Sequence, residues 1–308
     1  MGDAEVRKLE EVTATSSPVL ISKLKPSSNQ VAGHQFEEGH LGSLVDESGN
    51  FFKPLQDGER GEREVIFYEK FWADKNVPTN VKRFFPRFHG TVLIDNPDGA
   101  GATKHAILED LSSGLRQPCI MDIKMGFRTW YPEASEAYKI KCSKKDEETT
   151  SASLGFRICG LQVYDAAAGS SWKADRNWCR KLRPSEVPSV LKRFVSTNPY
   201  DDEHPNASKA QSVYGGPHGV ISKLKELQDW FEVQTTYHFS SSSVLIIYEG
   251  DASPCESGQA QDSGLARVKF IDFAHVSYGQ VGTDENYLGA LKSLMSYISA
   301  SVGERSAE

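Results

Sequence analysis

The sequence predicts an α+β fold of two lobes, with an antiparallel sheet in the N-lobe and a mixture of helices and strands in the C-lobe. Three observations support this prediction. The first third of the chain has pairs of apolar stretches separated by turn sequences, which is the pattern of β-hairpins. A single helix with one apolar face lies between these pairs. The rest of the chain alternates helical spacing with strongly apolar strands, and no stretch repeats another.

The predicted N-lobe consists of two hairpins and one helix. The turn sequence Asp46-Glu47-Ser48-Gly49-Asn50 separates the first two strands, and a stretch rich in Gly, Asp and Pro separates the other two. From Glu62 onward, apolar side chains recur at intervals of three and four residues and predict the helix. A short connector at 109–111 then leads to the C-lobe. The four predicted strands are 41–45, 51–55, 91–94 and 105–108.

The predicted C-lobe ends in a long helix, for which Asp284 is the expected N-cap. The predicted C-lobe helices are 132–145, 185–197, 218–236 and 284–299, and the predicted strands are 118–126, 156–164, 243–248 and 268–273. The expected boundaries are a mobile tail at 1–28, a single domain at 29–308 with its N-lobe at 29–110 and its C-lobe at 111–308, a surface loop at 197–212, and a flexible insert at 251–264.

Composition excludes several classes of function. The net charge of the 308 residues is −7, which argues against a general nucleic-acid binder because such proteins need a basic surface. The five cysteines form no Cys-x-x-Cys pair, so we expect reduced thiols and neither a disulfide framework nor a zinc site. No apolar run approaches the length of a membrane span, and the N-terminus lacks the apolar stretch of a signal peptide. We therefore expect an intracellular protein with no stable membrane insertion.

The nonapeptide Pro118-Cys119-Ile120-Met121-Asp122-Ile123-Lys124-Met125-Gly126 is the most informative segment. As a strand it places Asp122 and Lys124 on one face and apolar side chains on the other. A carboxylate beside an ammonium on an accessible face suits a phosphorylated ligand, since one binds hydroxyls or a metal and the other binds phosphate. The same pattern also fits an ordinary ion pair at the edge of a strand.

Three other segments carry polar residues in positions where they could serve the same ligand. Lys53 lies on the predicted strand 51–55, and Asp272 ends the apolar strand that begins at 268. Four serines at 240–243 precede another buried strand, and we expect Ser242 and Ser243 to line the floor of the site. In isolation, each segment also fits a structural role: a solvated lysine, an aspartate that ends a strand, and a serine-rich turn.

These residues together resemble the inositol polyphosphate kinase family. The pattern Pro-x-x-x-Asp-x-Lys-x-Gly at 118–126 is similar to the family signature, and Ile271-Asp272-Phe273 resembles its counterpart of the protein-kinase Asp-Phe-Gly. Residues 242–245 are similar to its Ser-Ser-Leu-Leu element, with Val244 at the first leucine position. The resemblance runs from about Val31 to the last helix. It implies a kinase-like, SAICAR-synthase-like fold.

The resemblance also indicates the branch of the family. The segments 128–132 and 213–219 resemble plant members of the multikinase branch, and the inositol-phosphate-binding segment at 127–150 is short. The chain has no Gly-x-Gly-x-x-Gly, Walker A or His-Arg-Asp sequence, which disfavours protein kinases and P-loop kinases.

The resemblance implies a role for each polar residue around the nucleotide. Lys53, held by Glu64, would bind the phosphates of ATP. The Glu109 carbonyl and the Leu111 N–H would pair with the adenine edge, and Asp122 would bind the ribose hydroxyls. The expected nucleotide-binding residues are therefore Lys53, Glu64, Glu109, Leu111, Asp122 and Asp272.

The remaining roles concern metal, transfer and substrate. Asp272 would bind Mg²⁺, and Lys124 would contact the transferred phosphoryl group, so Asp122, Lys124 and Asp272 are the expected catalytic residues. A lysine cluster and His275 would bind the phosphates of the substrate together with Lys124. The cluster residues are Lys141, Lys144 and Lys145, with Lys139 beside them. A solvated helix face and a structural histidine remain the alternatives.

The implied function is the phosphorylation of inositol 1,4,5-trisphosphate to tetrakis- and pentakisphosphate with ATP and Mg²⁺, a step towards phytate. We expect inositol polyphosphates as substrates, a monomer, no direct nucleic-acid binding, and a location in nucleus and cytoplasm. Some multikinases are associated with gene regulation, so a transcription-associated scaffold without catalysis is one alternative. A phosphoinositide lipid kinase is another.

Overall fold

The computed structural model describes residues 24–31, 42–96, 99, 101–201, 204–251 and 266–303. Its N-lobe contains a five-stranded antiparallel sheet in the order β1-β2-β3-β5-β4. The helix α1 carries Phe67, Tyr68 and Phe71 on its buried face, which confirms the predicted spacing. The elements are β1 Lys25–Pro26, β2 Leu44–Val45, β3 Asn50–Pro54, α1 Glu59–Ala73, α2 Thr79–Lys82, β4 Phe88–Asp95 and β5 Ala102–Glu109.

The C-lobe contains a second five-stranded sheet, in the order β11-β10-β6-β7-β8, and a separate two-stranded pair of β12 with β9. The strands are β6 Pro118–Met125, β7 Phe156–Asp165, β8 Ser170–Ala174, β9 Tyr237–Phe239, β10 Ser243–Glu249, β11 Arg267–Ile271 and β12 Val276–Tyr278. The helices are α3 Glu136–Glu147, α4 Ser151–Leu154, α5 Arg176–Lys181, α6 Val187–Phe194, α7 Ala210–Val213, α8 Val220–Phe231 and α9 Glu285–Gly303.

One apolar core joins the two lobes. Phe67 of α1 stacks on Phe273, just beyond β11, with ring centroids 4.1 Å apart. Phe231 of α8 stacks on Tyr287 of α9 at 4.8 Å, so the last helix closes the far side of the core. Because aromatic contacts of this kind are directional, they fix α1 against the C-lobe strand end where Asp272 lies. None of the helices in the described ranges has the length and apolar character that a membrane crossing requires.

The predicted elements are present, although some of their bounds differ and several short elements were not predicted. Helix α3 begins at Glu136 rather than at residue 132, because the Ser135 side chain caps it by accepting from the Tyr138 N–H. The elements that were not predicted are all short; they are β1, β8, β9, β12, α2, α4, α5 and α7. The N-cap role of Asp284 is confirmed, because its carboxylate accepts from the Tyr287 N–H at 3.0 Å.

The predicted N-terminal tail, residues 1–28, extends too far along the chain. Residues 1–23 lie outside the described part of the chain, but Lys25–Pro26 already forms β1 and pairs with Leu44–Val45. A strand of two residues has no periodicity from which it could be predicted. The predicted insert at 251–264 lies outside the described residues except for Asp251.

Candidate active site

The central strand β6 presents Asp122 and Lys124 on the sheet face that looks towards the N-lobe. Leu245 of β10 lies directly opposite Asp122, and Ser243 lies opposite Lys124. Gly126 ends the strand with φ of 108°, and a side chain there would approach Asn286 to 2.7 Å. The glycine of the motif is therefore required both by its backbone conformation and by the space available.

The predicted pair of Lys53 and Glu64 is confirmed, and a third group joins it. The Lys53 ammonium donates to Glu64 Oε1 at 2.6 Å and to Asp272 Oδ1 at 2.7 Å. Burial alone would lower the pKa of Lys53, but the carboxylates of Asp272 and Glu64 outweigh it and hold the pKa well above its usual value. Lys53 is therefore a fixed positive charge between the two lobes.

Asp272 lies deep in the cleft between the lobes, yet 41% of its side chain is open to solvent. Burial raises the pKa of Asp272, but the ammonium groups of Lys53 and Lys124 outweigh this effect and bring it to about 2. Its backbone has φ of 67°, a conformation that residues with side chains rarely adopt. Strain of this kind persists where the surroundings fix the residue, and it is concentrated at functional sites.

Asp122 differs from Asp272 in its surroundings. Only 6% of the residue is exposed, and its buried Oδ1 has no hydrogen-bond partner among the described residues. Burial, with a smaller contribution from the negative charge of Asp272, raises the pKa of Asp122 to about 6, although Lys124 partly offsets the shift. Because Oδ1 is closed to solvent, a ligand hydroxyl could reach this carboxylate only at its small exposed part.

Lys124 is held by the segment before β10. Its ammonium donates to the Ser241 carbonyl at 2.5 Å and lies 3.3 Å from the Ser241 hydroxyl. Ser242 and Ser243, which we expected to line the floor of the site, are both fully buried. Ser243 lies beneath the site, opposite Lys124, and its hydroxyl acts to lower the pKa of Asp122. Ser241, which has φ of 59°, makes the contact instead.

The connector after β5 lies against an apolar patch that we call the apolar floor. Leu111 belongs to this patch, and Ile120 shares the sheet face of Asp122 because the two residues are two positions apart. The Glu109 carboxylate binds Lys269 at 3.0 Å, so a nucleotide could use only the Glu109 backbone. The floor consists of Leu111, Ile120 and Ile247, with Val31, Leu115, Leu245 and Ile271 packed on them. The adenine contacts of Glu109 and Leu111 stay a prediction.

His275 lies in a wall of basic and aromatic side chains. Its ring stacks on Tyr131 at 4.8 Å, and Tyr138 lies 3.4 Å from its Nε2. Arg60 and Arg63 of α1 reach this wall from the N-lobe, over the rings of Tyr138 and Tyr131 respectively. Burial and the nearby charges of Arg60, Lys124 and Arg63 lower the pKa of His275 to about 4, so the ring is neutral at pH 7.

The structure separates the lysines of α3. Burial and the nearby charges of Arg157 and Lys124 lower the pKa of Lys145, which places this ammonium beside the site. Lys144 is 77% exposed at its side chain and lies 3.9 Å from Glu148. Lys141 is four residues before Lys145 and therefore on the same side of the helix.

A buried ion pair fixes the rotation of α3. Asp146 binds Arg157 of β7 at 3.2 Å and accepts from both the backbone N–H and the hydroxyl of Thr129 at 2.8 Å. Arg157 also donates to Ser151 at 2.7 Å. Asp146 directly follows Lys145 in α3. The contacts of its carboxylate fix the orientation of the helix, and with it the side of the helix on which Lys145 lies.

Five site residues were missed from the sequence; Ser241 lay in the serine run 240–243 but fitted a serine-rich turn, and one other, Arg60, left a signal. Arg60 lies just before the predicted helix start at Glu62, and the true start at Glu59 brings it onto α1, one turn from Glu64. The other four depend on contacts between distant segments. These four are Arg63, Tyr131, Tyr138 and Ser241.

The acidic groups suit a divalent cation that also binds phosphate. Within the described ranges, no cluster of three or more His, Cys, Asp or Glu side chains could hold a metal by itself. Mg²⁺ is commonly held by one or two carboxylates together with phosphate oxygens and waters. Asp272, ionised and partly open, fits this donor set, with Asp122 as the nearby second carboxylate.

Comparisons with known proteins identify the same family along most of the chain. A sequence model of the family "Inositol polyphosphate kinase" matches residues 105–299. The chain is 45% identical over 277 residues to inositol polyphosphate multikinase beta of Arabidopsis thaliana, which covers 89% of this chain and 92% of that protein.

Solved structures show the same fold. One, from structural and engineering studies of inositol phosphate multikinase, has a TM-score of 0.65 at 41% identity and covers 77% of this chain and 98% of its own. A second, the S. cerevisiae multikinase in complex with ADP and Mn²⁺, has a TM-score of 0.59 at 21% identity and covers 82% and 98%. At that identity the second likeness supports the fold alone.

Proposed function

The chain belongs to the inositol polyphosphate kinase family, and from this premise we propose that it phosphorylates inositol 1,4,5-trisphosphate in sequence to tetrakis- and pentakisphosphate, with Mg·ATP as the donor. It is an ATP-dependent inositol phosphate kinase, as its multikinase relatives are. The observation that carries the proposal is the meeting of Lys53, Asp272, Asp122 and Lys124 in one cleft between the lobes.

The nucleotide occupies the side of the cleft next to the connector. The apolar floor offers an apolar surface for adenine, and the exposed part of the Asp122 carboxylate accepts from a ribose hydroxyl. Lys53 lies inside the cleft beside Asp272, where it binds the phosphates while Glu64 holds it in place.

Transfer depends on positioning and on charge stabilisation rather than on covalent chemistry by the protein. Asp272 would hold Mg²⁺, which neutralises charge on the β- and γ-phosphates when it is bound. Lys124 shares the strand face of Asp122 and presents its ammonium to the transferred phosphoryl group. Its contact with the Ser241 carbonyl fixes that ammonium before substrate binds. A preorganised charge needs no rearrangement during the reaction, which lowers the barrier.

The inositol phosphate lies between α1 and α3. Arg60 and Arg63 approach from the N-lobe, and Lys145 and Lys141 approach from the C-lobe. Neutral His275 can donate or accept one hydrogen bond there, but it adds no charge. These cations come from two helices in different lobes, and with a short basic segment we expect the substrate pocket to be open enough for more than one orientation of the ring. This freedom supports phosphorylation at more than one ring position.

Two other functions predict different behaviour. A scaffold without catalysis would not need the intact set of Lys53, Asp122, Lys124 and Asp272. A lipid kinase would use the same open cleft for a phosphoinositide headgroup. We propose a monomer that acts in nucleus and cytoplasm, with transcriptional regulators as partners; these points rest on the family resemblance.

The test is to resolve the products formed from inositol 1,4,5-trisphosphate and Mg·ATP over time. We expect the tetrakisphosphate to rise and then fall as the pentakisphosphate appears. A tetrakisphosphate that accumulates without further conversion would contradict the sequential proposal. No product at all, with ATP still stabilising the protein against heat, would favour the scaffold. Product from phosphoinositide vesicles alone would favour the lipid kinase.

A further inference from the structure

Residues 27–31 cross from the N-lobe to the C-lobe beside the nucleotide site, and we call them the strap. The strap leaves the N-lobe sheet at Ser27, whose N–H donates to the Ser43 carbonyl at 2.9 Å. Lys173 of β8, in the C-lobe, donates to the Ser28 carbonyl at 2.9 Å. The Asn29 amide then donates to Ser112, next to the connector, at 3.2 Å. Three successive residues are thus attached to three different parts of the molecule.

The end of the strap lies on the sheet face that carries Asp122. Gly160 of β7 is directly opposite Asp122 in register, so a side chain at 160 would stand on the same face. A Cβ built there would lie 2.2 Å from the Val31 carbonyl oxygen, which means that the strap backbone occupies that space. Gly160 is therefore a glycine because the strap runs over it.

The Val31 side chain extends the apolar floor. It packs with Leu111 of the connector and with Ile120, which precedes Asp122 on the same face. The strap consequently borders the nucleotide site on two sides, at the adenine floor through Val31 and beside Asp122 through its backbone. None of the residues to which a role in ATP binding was assigned lies in this segment.

We propose that the strap walls the nucleotide pocket on its ribose side and sets how the nucleotide lies against Asp122. It is a positioning element, since its anchors at Ser112 and Lys173 fix its backbone and it does not act on the reacting atoms. The inference rests on the proposed nucleotide site. Because the strap is attached to both lobes, it also limits how far the cleft opens on this side.

The proposal is tested by calorimetric titration of the full chain with ADP, together with KM values for both substrates. Gly160→Ala displaces the strap, and Lys173→Met releases the Ser28 carbonyl. We expect each to raise the Kd for ADP and the KM for ATP by roughly three- to tenfold, the range set by about one hydrogen bond, with little change in the KM for inositol phosphate. Lys181→Met, on exposed α5, is the matched control and should leave all three unchanged.

A second measurement separates positioning from damage to the fold. Hydrogen exchange of the strap amides should slow when ADP is added to the unaltered protein, because the nucleotide buries them further. Equal rises in both KM values would attribute the effect of Gly160→Ala to the fold and overturn the inference. Unchanged ADP affinity in both variants would overturn it while leaving the proposed function intact. Failure of the unaltered protein to bind ADP would instead overturn the proposed function.

Discussion

Lys53 on strand β3 of the N-lobe contacts Asp272 at the end of a C-lobe strand, with 2.7 Å between the ammonium and Oδ1. Glu64 binds the same ammonium from α1 at 2.6 Å. The contact ties the group that would bind nucleotide phosphates to the group that would bind the metal. This contact therefore fixes the N-lobe strand relative to the C-lobe strand at the proposed ATP site.

The Lys53–Glu64 pair predicts that replacing Lys53 raises the KM for ATP more than replacing Glu64 does. Lys53→Ala should raise the KM for ATP by roughly 10- to 100-fold, since a charge-assisted contact is worth about 1.5–3 kcal/mol. Glu64→Gln should act in the same direction but more weakly, because it only releases the ammonium. Glu69→Gln on the exposed side of α1 is the control. Full additivity in the double variant would contradict the pairing.

The raised pKa of Asp122 predicts that the stability of Asp122→Asn relative to wild type increases as the pH rises. The folded carboxyl has a pKa of about 6, above its unfolded value, so ionisation on going from pH 4 to pH 7 weakens the wild-type fold. Asparagine does not ionise, so the variant should gain on the order of 2–3 kcal/mol relative to wild type across this range. Thermal unfolding at pH 4.5 and 7.5 measures the difference, with exposed Asp57→Asn as the control. A pH-independent difference would refute this prediction.

The orientation of α3 about its axis predicts that Lys141 and Lys145 bind the inositol phosphate and that Lys144 does not. Replacing Lys141 and Lys145 together by methionine should raise the KM for inositol phosphate by roughly tenfold and leave the KM for ATP nearly unchanged. The dependence of that KM on ionic strength should weaken as well. Lys144→Met, which alters an exposed side chain on the same helix, should have little effect. If Lys144→Met instead had the larger effect, the assignment would be reversed.

The buried pair of Asp146 and Arg157 predicts a large loss of stability from a small change. Asp146→Asn leaves the guanidinium buried without a carboxylate, which typically costs about 3–5 kcal/mol. Urea unfolding measures the loss. Adding Arg157→Met should recover much of it, because the unpaired charge is then gone. A double variant no more stable than Asp146→Asn would show that the pair itself is not the cause.

The parts of the site that were predicted correctly depend on local patterns. Strand alternation alone places Asp122 and Lys124 on one face, and the register of β6 confirms it. Lys53 and Glu64 lie on a strand and a helix that follow each other along the chain, so their approach could be expected.

The parts that could not be predicted depend on packing between distant segments. Which lysine of α3 faces the site is decided by the contact of Asp146 with Arg157 on another strand, and periodicity carries no such information. Arg63 contacts the ring of Tyr131 only because α1 packs near the segment before α3. The strap could not be predicted because it is irregular, and β1 before it, Lys25–Pro26, is too short to show a pattern.

The most direct test of the proposed mechanism is the turnover of Asp272→Asn with inositol 1,4,5-trisphosphate at saturating Mg²⁺ and ATP. The substitution keeps the shape of the side chain but removes the charge that pairs with Lys53, so we expect some loss of stability, and kcat is measured at a temperature at which the variant is folded. We expect kcat to fall by roughly 10²- to 10³-fold, the usual effect of removing a group that stabilises charge in such a site. Retention of more than about a tenth of the wild-type kcat by a folded variant would contradict the role of Asp272 in phosphoryl transfer.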